Sequence, residues 1–135
     1  MRFILALAAA SILASPAASQ QIAPAMVYFD AGSDALDAAD RAQLARAADQ
    51  IRQIGGSFSI SLAGHADDPE GSADEAIGLS QRRANTVRDH LVSLGVPASL
   101  MTTQAFGETR PAIESTEAQW ENRRVEITFG PGSGW

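Results

Sequence analysis

Cysteine is absent from this chain and so is lysine: all ten basic side chains are arginine. Without cysteine there is no disulfide framework, so the fold must rest on its core alone. The thiol nucleophile and the zinc-binding thiolate are excluded with it, as is the cysteine that a lipid anchor would need. The two histidines, His65 and His90, cannot complete the three or four ligands of a zinc site, and no metal or other cofactor is expected. Basic charge is also scarce against 16 acids, for a formal net charge of −6. That balance argues against nucleic acid and anionic membrane surfaces, where a basic patch supplies most of the affinity. There is no internal repeat and no long low-complexity stretch, so solenoids and arrays are excluded.

Only one long apolar run is present, and it comes first. Arg2 precedes the unbroken run Phe3 to Ala10, then Ile12, Leu13 and Ala14, and the small-residue segment Ser15-Pro16-Ala17-Ala18-Ser19 follows. This is the three-part pattern of a secretory signal peptide, with residues 1–19 removed by cleavage after Ser19. The competing reading, an uncleaved anchor, is disfavoured because a spanning helix needs about 20 apolar residues and this run ends at Pro16. The expected mature chain, residues 20–135, has no transmembrane segment, carries nine arginines against 16 acids, and is released free into the periplasm.

The mature part alternates two periods. Ala25 to Phe29 is a short apolar strand bounded by Pro24 and by Asp30-Ala31-Gly32-Ser33-Asp34. From Asp37, residues Leu44, Ala47, Ala48, Ile51 and Ile54 share a helical face, with Gly55-Gly56 as the stop. Phe58, Ile60 and Leu62 alternate with serines as a second strand running into Gly64-His65-Ala66-Asp67. After Asp68-Pro69-Glu70-Gly71-Ser72 a long helix covers about Ala73 to Leu94, with Ile77, Ala84, Val87, Leu91 and Leu94 inward and Gly95 as its stop. A third strand near Thr102 to Phe106, a short helix near Thr116 to Glu121 and a fourth strand from Arg124 to Phe129 complete the order. The expected fold class is α/β, a β-α-β-α-β-β two-layer sandwich. Helix crossovers favour neighbouring parallel strands, and the last pair adds an antiparallel edge, giving a mixed sheet with both helices on one face. The tail 131–135 is expected to be flexible.

Several ordered motifs then carry a resemblance. They are Val27-Tyr28-Phe29-Asp30 with Ser33 and Leu36; Gly64-His65-Ala66-Asp67; Gly71-Ser72; Leu79-Ser80-Gln81-Arg82-Arg83-Ala84 and Val87; Gly107-Glu108 with Pro111; and Asn122-Arg123-Arg124-Val125-Glu126. Together they resemble the OmpA-like peptidoglycan-binding domain, here over residues 20–130 and in a stand-alone, exported form. The resemblance implies non-catalytic binding to the diaminopimelate residue of the peptidoglycan stem peptide, in the periplasm and in association with the cell wall or outer membrane. By it, Asp67 takes the ligand's ammonium and Arg83 its carboxylate, a pairing of an acceptor-only group with a planar donor fork. Phe29, Asp30 and Leu79 match positions that line the same pocket.

Two departures from the family pattern bear on that site. Asp68, Pro69 and Glu70 separate Asp67 from Gly71, one residue more than usual, so Asp67 and Arg83 stand sixteen apart and Asp68 becomes a rival for the acidic role. The asparagine that usually opens the second helix is Ala76 here, preceded by Glu75 where an aromatic residue is common, and Ser72 or Asp74 is left to compensate. Taken without the motifs, Asp67 and Arg83 would be ordinary solvated charges. His65 reads as a structural histidine, His90 as exposed, and Asn122, Arg123 and Arg124 as scaffold. An enzyme acting on the wall is disfavoured, since no nucleophile or metal motif accompanies the acids. An OmpA-like fold repurposed as an adaptor for other envelope proteins remains the alternative.

Overall fold

The computed structural model describes residues 24–54 and 58–130. The expected signal peptide, the Gly55-Gly56 stop and the tail 131–135 lie outside the described residues. The elements run β1 (Ala25–Tyr28), α1 (Ala38–Ile54), β2 (Ser59–Gly64), α2 (Ala73–Ser93), β3 (Met101–Ala105) and β4 (Arg124–Gly130), with 3-10 turns at Asp68–Glu70, Ala98–Leu100 and Trp120–Asn122.

Each helix begins where its side chains satisfy the first free amides. At α1 the Asp40 amide donates to Asp37 Oδ1 at 2.7 Å and the Asp37 amide donates to Asp40 Oδ2 at 3.1 Å, a reciprocal cap. At α2 the Ser72 hydroxyl accepts from the Glu75 amide at 3.3 Å, so Ser72 supplies a cap that Ala76 cannot. Gly95, at φ +95°, ends α2 as expected, with the Val96 amide bonded back to the Leu91 carbonyl.

The sheet order is β1-β4-β2-β3, with β2 and β3 parallel and β4 antiparallel to both of its neighbours. This corrects the expected arrangement in two respects. β1 and β2 are not neighbours, and β4 is interior to the sheet rather than an added edge. The seven-residue β4 offers Val125 and Ile127, both fully buried, to the core, and an interior place pairs its backbone on both sides. Both helices cover one face. Val27, Ile60, Leu62, Val125 and Ile127 from the strands meet Leu44, Ala48 and Ile51 from α1 and Val87 and Leu91 from α2 in a single core. Each valine, leucine and isoleucine among them contributes roughly 1.5–3 kcal/mol by burial.

Two further expectations need correction. Ile77 is 46% exposed, although it shares a stripe with Ala84. Gly64, the last residue of β2, lies against the Ser80 carbonyl, so the turn of α2 before Ser80 passes beyond the strand end and Ile77 faces Gly107 instead of the sheet. The short helix near Thr116 to Glu121 is replaced by the 3-10 turn Trp120–Asn122. Here the Gln119 amide donates to the Asp67 carboxylate and Asn122 clamps both polar groups of Ile113, so side chains satisfy the backbone that a helix would otherwise pair.

Candidate functional site

The site forms where β1 and β2 end against the N-terminal half of α2. Close approach there depends on glycine: a Cβ on Gly64 would sit 1.9 Å from the Ser80 carbonyl oxygen. Gly107, at φ +56°, donates its amide to the buried Ser80 hydroxyl at 3.0 Å, and its carbonyl accepts from the Ala66 amide at 2.8 Å. These contacts lock α2 to the strand ends and set the direction of the next inward residue, Arg83.

Arg83 is fully buried, and all five of its N–H groups have acceptors. Nε donates to the Ser33 carbonyl at 2.8 Å, Nη1 to the His65 carbonyl at 3.0 Å, and Nη2 to the Asp30 carbonyl at 3.1 Å. The remaining two reach Glu70 in a bidentate pair, Nη1 to Oε1 at 2.9 Å and Nη2 to Oε2. The guanidinium carbon also stands 5.4 Å from the centroid of the buried Phe29 ring, a cation–π contact. Arg82, one residue earlier and about 100° away on the helix, points outward, with a side chain 60% exposed and 3.7 Å from Asp34.

Glu70 was not anticipated from the sequence, and it is the centre of this network. Its side chain is 4% exposed, and beyond Arg83 it accepts from the Asp67 amide at 2.7 Å through Oε1 and from the Gly32 amide at 2.7 Å through Oε2. One carboxylate thus holds four donors. Burial raises its pKa, but hydrogen bonds from Arg83, Asp67 and Gly32 and the Arg83 charge together outweigh burial and hold it below the usual glutamate value. A signal was present in Asp67-Asp68-Pro69-Glu70, which has the spacing of an N-cap acid and a glutamate that reaches back to the cap amide.

The other expected site residues are placed as follows. Asp67 is buried, its Oδ2 accepting from the Gln119 amide at 2.7 Å and its Oδ1 from Asn122 Nδ2 at 3.0 Å. Its backbone reaches Glu70 while its carboxylate faces the 119–122 turn. Asp68 is exposed and lines a shallow cleft of about 370 Å³ with Ala66, Glu108, Glu114 and Asn122. Leu79 is buried at the wall of a second cleft of about 390 Å³, which Glu70, Gly32, Asp74 and Arg82 also line. The 68–70 turn therefore gives Asp68 to one cleft and Glu70 to the other. Asp30 is exposed and contributes its backbone carbonyl to Arg83.

The residues read as scaffold join these parts. Arg123 Nε donates to the Phe29 carbonyl at 2.8 Å, and Arg124 pairs with Glu126 at 2.9 Å. The ring of His65 is buried, stacked on Phe106 with centroids 5.4 Å apart, and its Nε2 is 3.4 Å from Glu126 Oε2. Burial first and the Arg124 charge second push this imidazole down to about 4, against a smaller opposing pull from Glu126. His90 is half-buried on α2, not exposed as expected.

Fold and site together define a small α/β module with a carboxylate cradle, built from one buried guanidinium and two backbone amides at the ends of its strands. The chain belongs to the OmpA family, whose model matches residues 28–125. It is 33% identical over 109 residues to the peptidoglycan-associated lipoprotein of Brucella melitensis, covering 80% of this chain and 64% of that protein. The chain thus spans just under two thirds of that relative's length. Among solved structures, the peptidoglycan-associated lipoprotein of Burkholderia pseudomallei superposes with a TM-score of 0.70 at 29% identity, covering 77% of this chain and 88% of the other. The C-terminal domain of Helicobacter pylori MotB gives a TM-score of 0.71 at 28% identity, covering 83% of this chain and 87% of that one. Among the described residues, no helix is long and apolar enough to cross a membrane.

Proposed function

We propose that this chain is a non-catalytic peptidoglycan-binding module of the periplasm that recognises the diaminopimelate residue of the stem peptide and supports envelope integrity or anchoring. The observation that carries this reading is the cradle itself: Arg83, buried and aimed by three backbone carbonyls, holds a carboxylate in its fork together with the Gly32 and Asp67 amides. A buried guanidinium is a strong and geometrically selective receptor for a planar acid. The names of the relatives from Brucella and Burkholderia agree in associating this domain with peptidoglycan. The side-chain end of diaminopimelate carries a carboxylate and an ammonium. Asp67 accepts one hydrogen bond on each oxygen and retains lone pairs for the ammonium, with Asp68 as the rival at the neighbouring cleft.

Sedimentation of the mature protein with purified sacculi tests this reading. Binding to diaminopimelate-type wall is expected to exceed binding to lysine-type wall, because lysine has no second carboxylate for Arg83. Equal sedimentation with both refutes the clamp, and release of soluble fragments refutes the absence of catalysis. The second reading, an adaptor for another envelope protein, draws support from Glu70, which already fills the fork of Arg83. Indifference of a captured envelope partner to free diaminopimelate, with no sedimentation on sacculi, decides for it.

A further inference from the structure

We propose that Glu70 is a built-in competitor: its carboxylate closes the cradle in the ligand-free protein and must swing out before a ligand carboxylate can be gripped by Arg83. Three of the five N–H groups of Arg83 point at the backbone carbonyls of Ser33, His65 and Asp30, which belong to the strand ends and the first turn after β1. Those three are spent on the fold. Only the two on Glu70 are paired with a group on a side chain, and a side chain can leave by rotation.

Glu70 is itself fully engaged. Its two oxygens take four donors, two from the guanidinium fork and one each from the Gly32 and Asp67 amides, the arrangement an incoming free carboxylate requires. A ligand acid therefore meets no vacant donor; it has to exchange with Glu70 one for one. The exchange is geometrically open. Glu70 sits on the short turn that bears Asp68 and Pro69, both exposed, and it lines the 390 Å³ cleft beside Leu79 through which a ligand would arrive. Gly71, at φ +138°, follows immediately and lets the chain turn away into α2.

This inference rests on the peptidoglycan reading for the identity of the ligand, but not for the competition itself. Two probes separate them. Glu70→Ala should leave a vacated cradle that accepts sodium acetate, so acetate is expected to raise the melting temperature of the variant and leave the wild type unmoved, against sodium chloride at equal ionic strength. Titration with free diaminopimelate should then give at least a tenfold tighter dissociation constant for Glu70→Ala than for wild type. Should the alanine variant fail to fold, Glu70→Gln, which keeps the shape but holds Arg83 without charge, is expected to bind diaminopimelate more tightly than wild type.

A lack of response of folded Glu70→Ala to acetate overturns the proposal. So does binding of diaminopimelate by wild type that equals or exceeds that of the folded variant, a result that leaves the peptidoglycan reading standing. Acetate rescue with no diaminopimelate binding in either protein does the reverse: the competitor is upheld and the wall ligand is refuted.

Discussion

His65 belongs to two charged clusters at once, and they are built on opposite terms. Its backbone carbonyl is one of the five acceptors around Arg83, where every donor is met and the counter-charge of Glu70 is in place. Its ring belongs to the second cluster, with Arg124 and Glu126. There both ring nitrogens and Arg124 Nη1 are buried without a hydrogen-bond partner among the described residues. The first cluster keeps a full charge in the interior because pairing and hydrogen bonds offset the loss of hydration. In the second, burial and then the Arg124 charge push the histidine's pKa down to about 4, so the imidazole gives up its proton instead. Burial opposes ionisation in both clusters, and only where the partners are complete is it outweighed.

The sharpest way to break the contrast is to remove one side of the saturated pair. Arg83→Met should destabilise the domain by about 3–5 kcal/mol, because Glu70 is left as a buried, uncompensated charge. Arg83→Met combined with Glu70→Met should recover most of that loss, and urea unfolding of the three proteins checks it. A double variant as unstable as the single would show that the backbone carbonyls, not Glu70, dominate the cost.

Acid should next separate the clusters by pH window. The folded pKa of His65 lies below its ordinary value of 6.5, so the unfolded chain binds the proton first and stability is lost as pH falls from about 6.5 towards 4. The full effect is about 3 kcal/mol, from a shift of roughly two and a half units. Glu70, also held below its ordinary value of 4.5, contributes stability that is complete above 4.5 and is lost only as pH falls further through its folded pKa. His65→Phe, which keeps a ring on Phe106, should flatten the unfolding free energy between pH 6.5 and 4.5 and leave the drop below 4.5. A wild-type curve that is flat across the upper window contradicts the neutral buried imidazole.

The smallest effects sharpen the assignment of the acids. Asp67→Asn should cost about 1–3 kcal/mol, since one of its two accepting oxygens becomes an NH2 group, a donor set against the donor of Gln119 or Asn122. Asp68→Asn and Arg82→Ala, both exposed, should stay within about 0.5 kcal/mol of wild type. A thermal melt series measures all three. A silent Asp67→Asn would mean that the 119–122 turn is held by its own backbone.

Much of this was legible because local rules carry it. The apolar period of α2, with Ser72 before it and Gly95 after it, marks the helix to within a residue of its end at Ser93. The same period sets Arg82 and Arg83 about 100° apart so that only one can face the site, the family motif selects Arg83, and the alternation in Phe58 to Leu62 marks β2. Ile77 failed the same rule because periodicity states which residues share a face, not how far the sheet beneath them extends.

The residue chain by itself determined the four strands, the two long helices and the Gly95 stop, since each depends on neighbours within a turn or a strand, while the choice of Arg83 as the inward arginine came with the family motif. Only the tertiary structure decided that β4 lies between β1 and β2, that Asp67 turns its carboxylate to Asn122, and that Glu70 is the acid in the fork of Arg83. The physical reason is the same for all three. Pairing between groups 13, 55 or nearly a hundred residues apart is chosen by how the chain closes its loops around one core. Among 16 acids, composition does not distinguish the one whose backbone is delivered to the arginine.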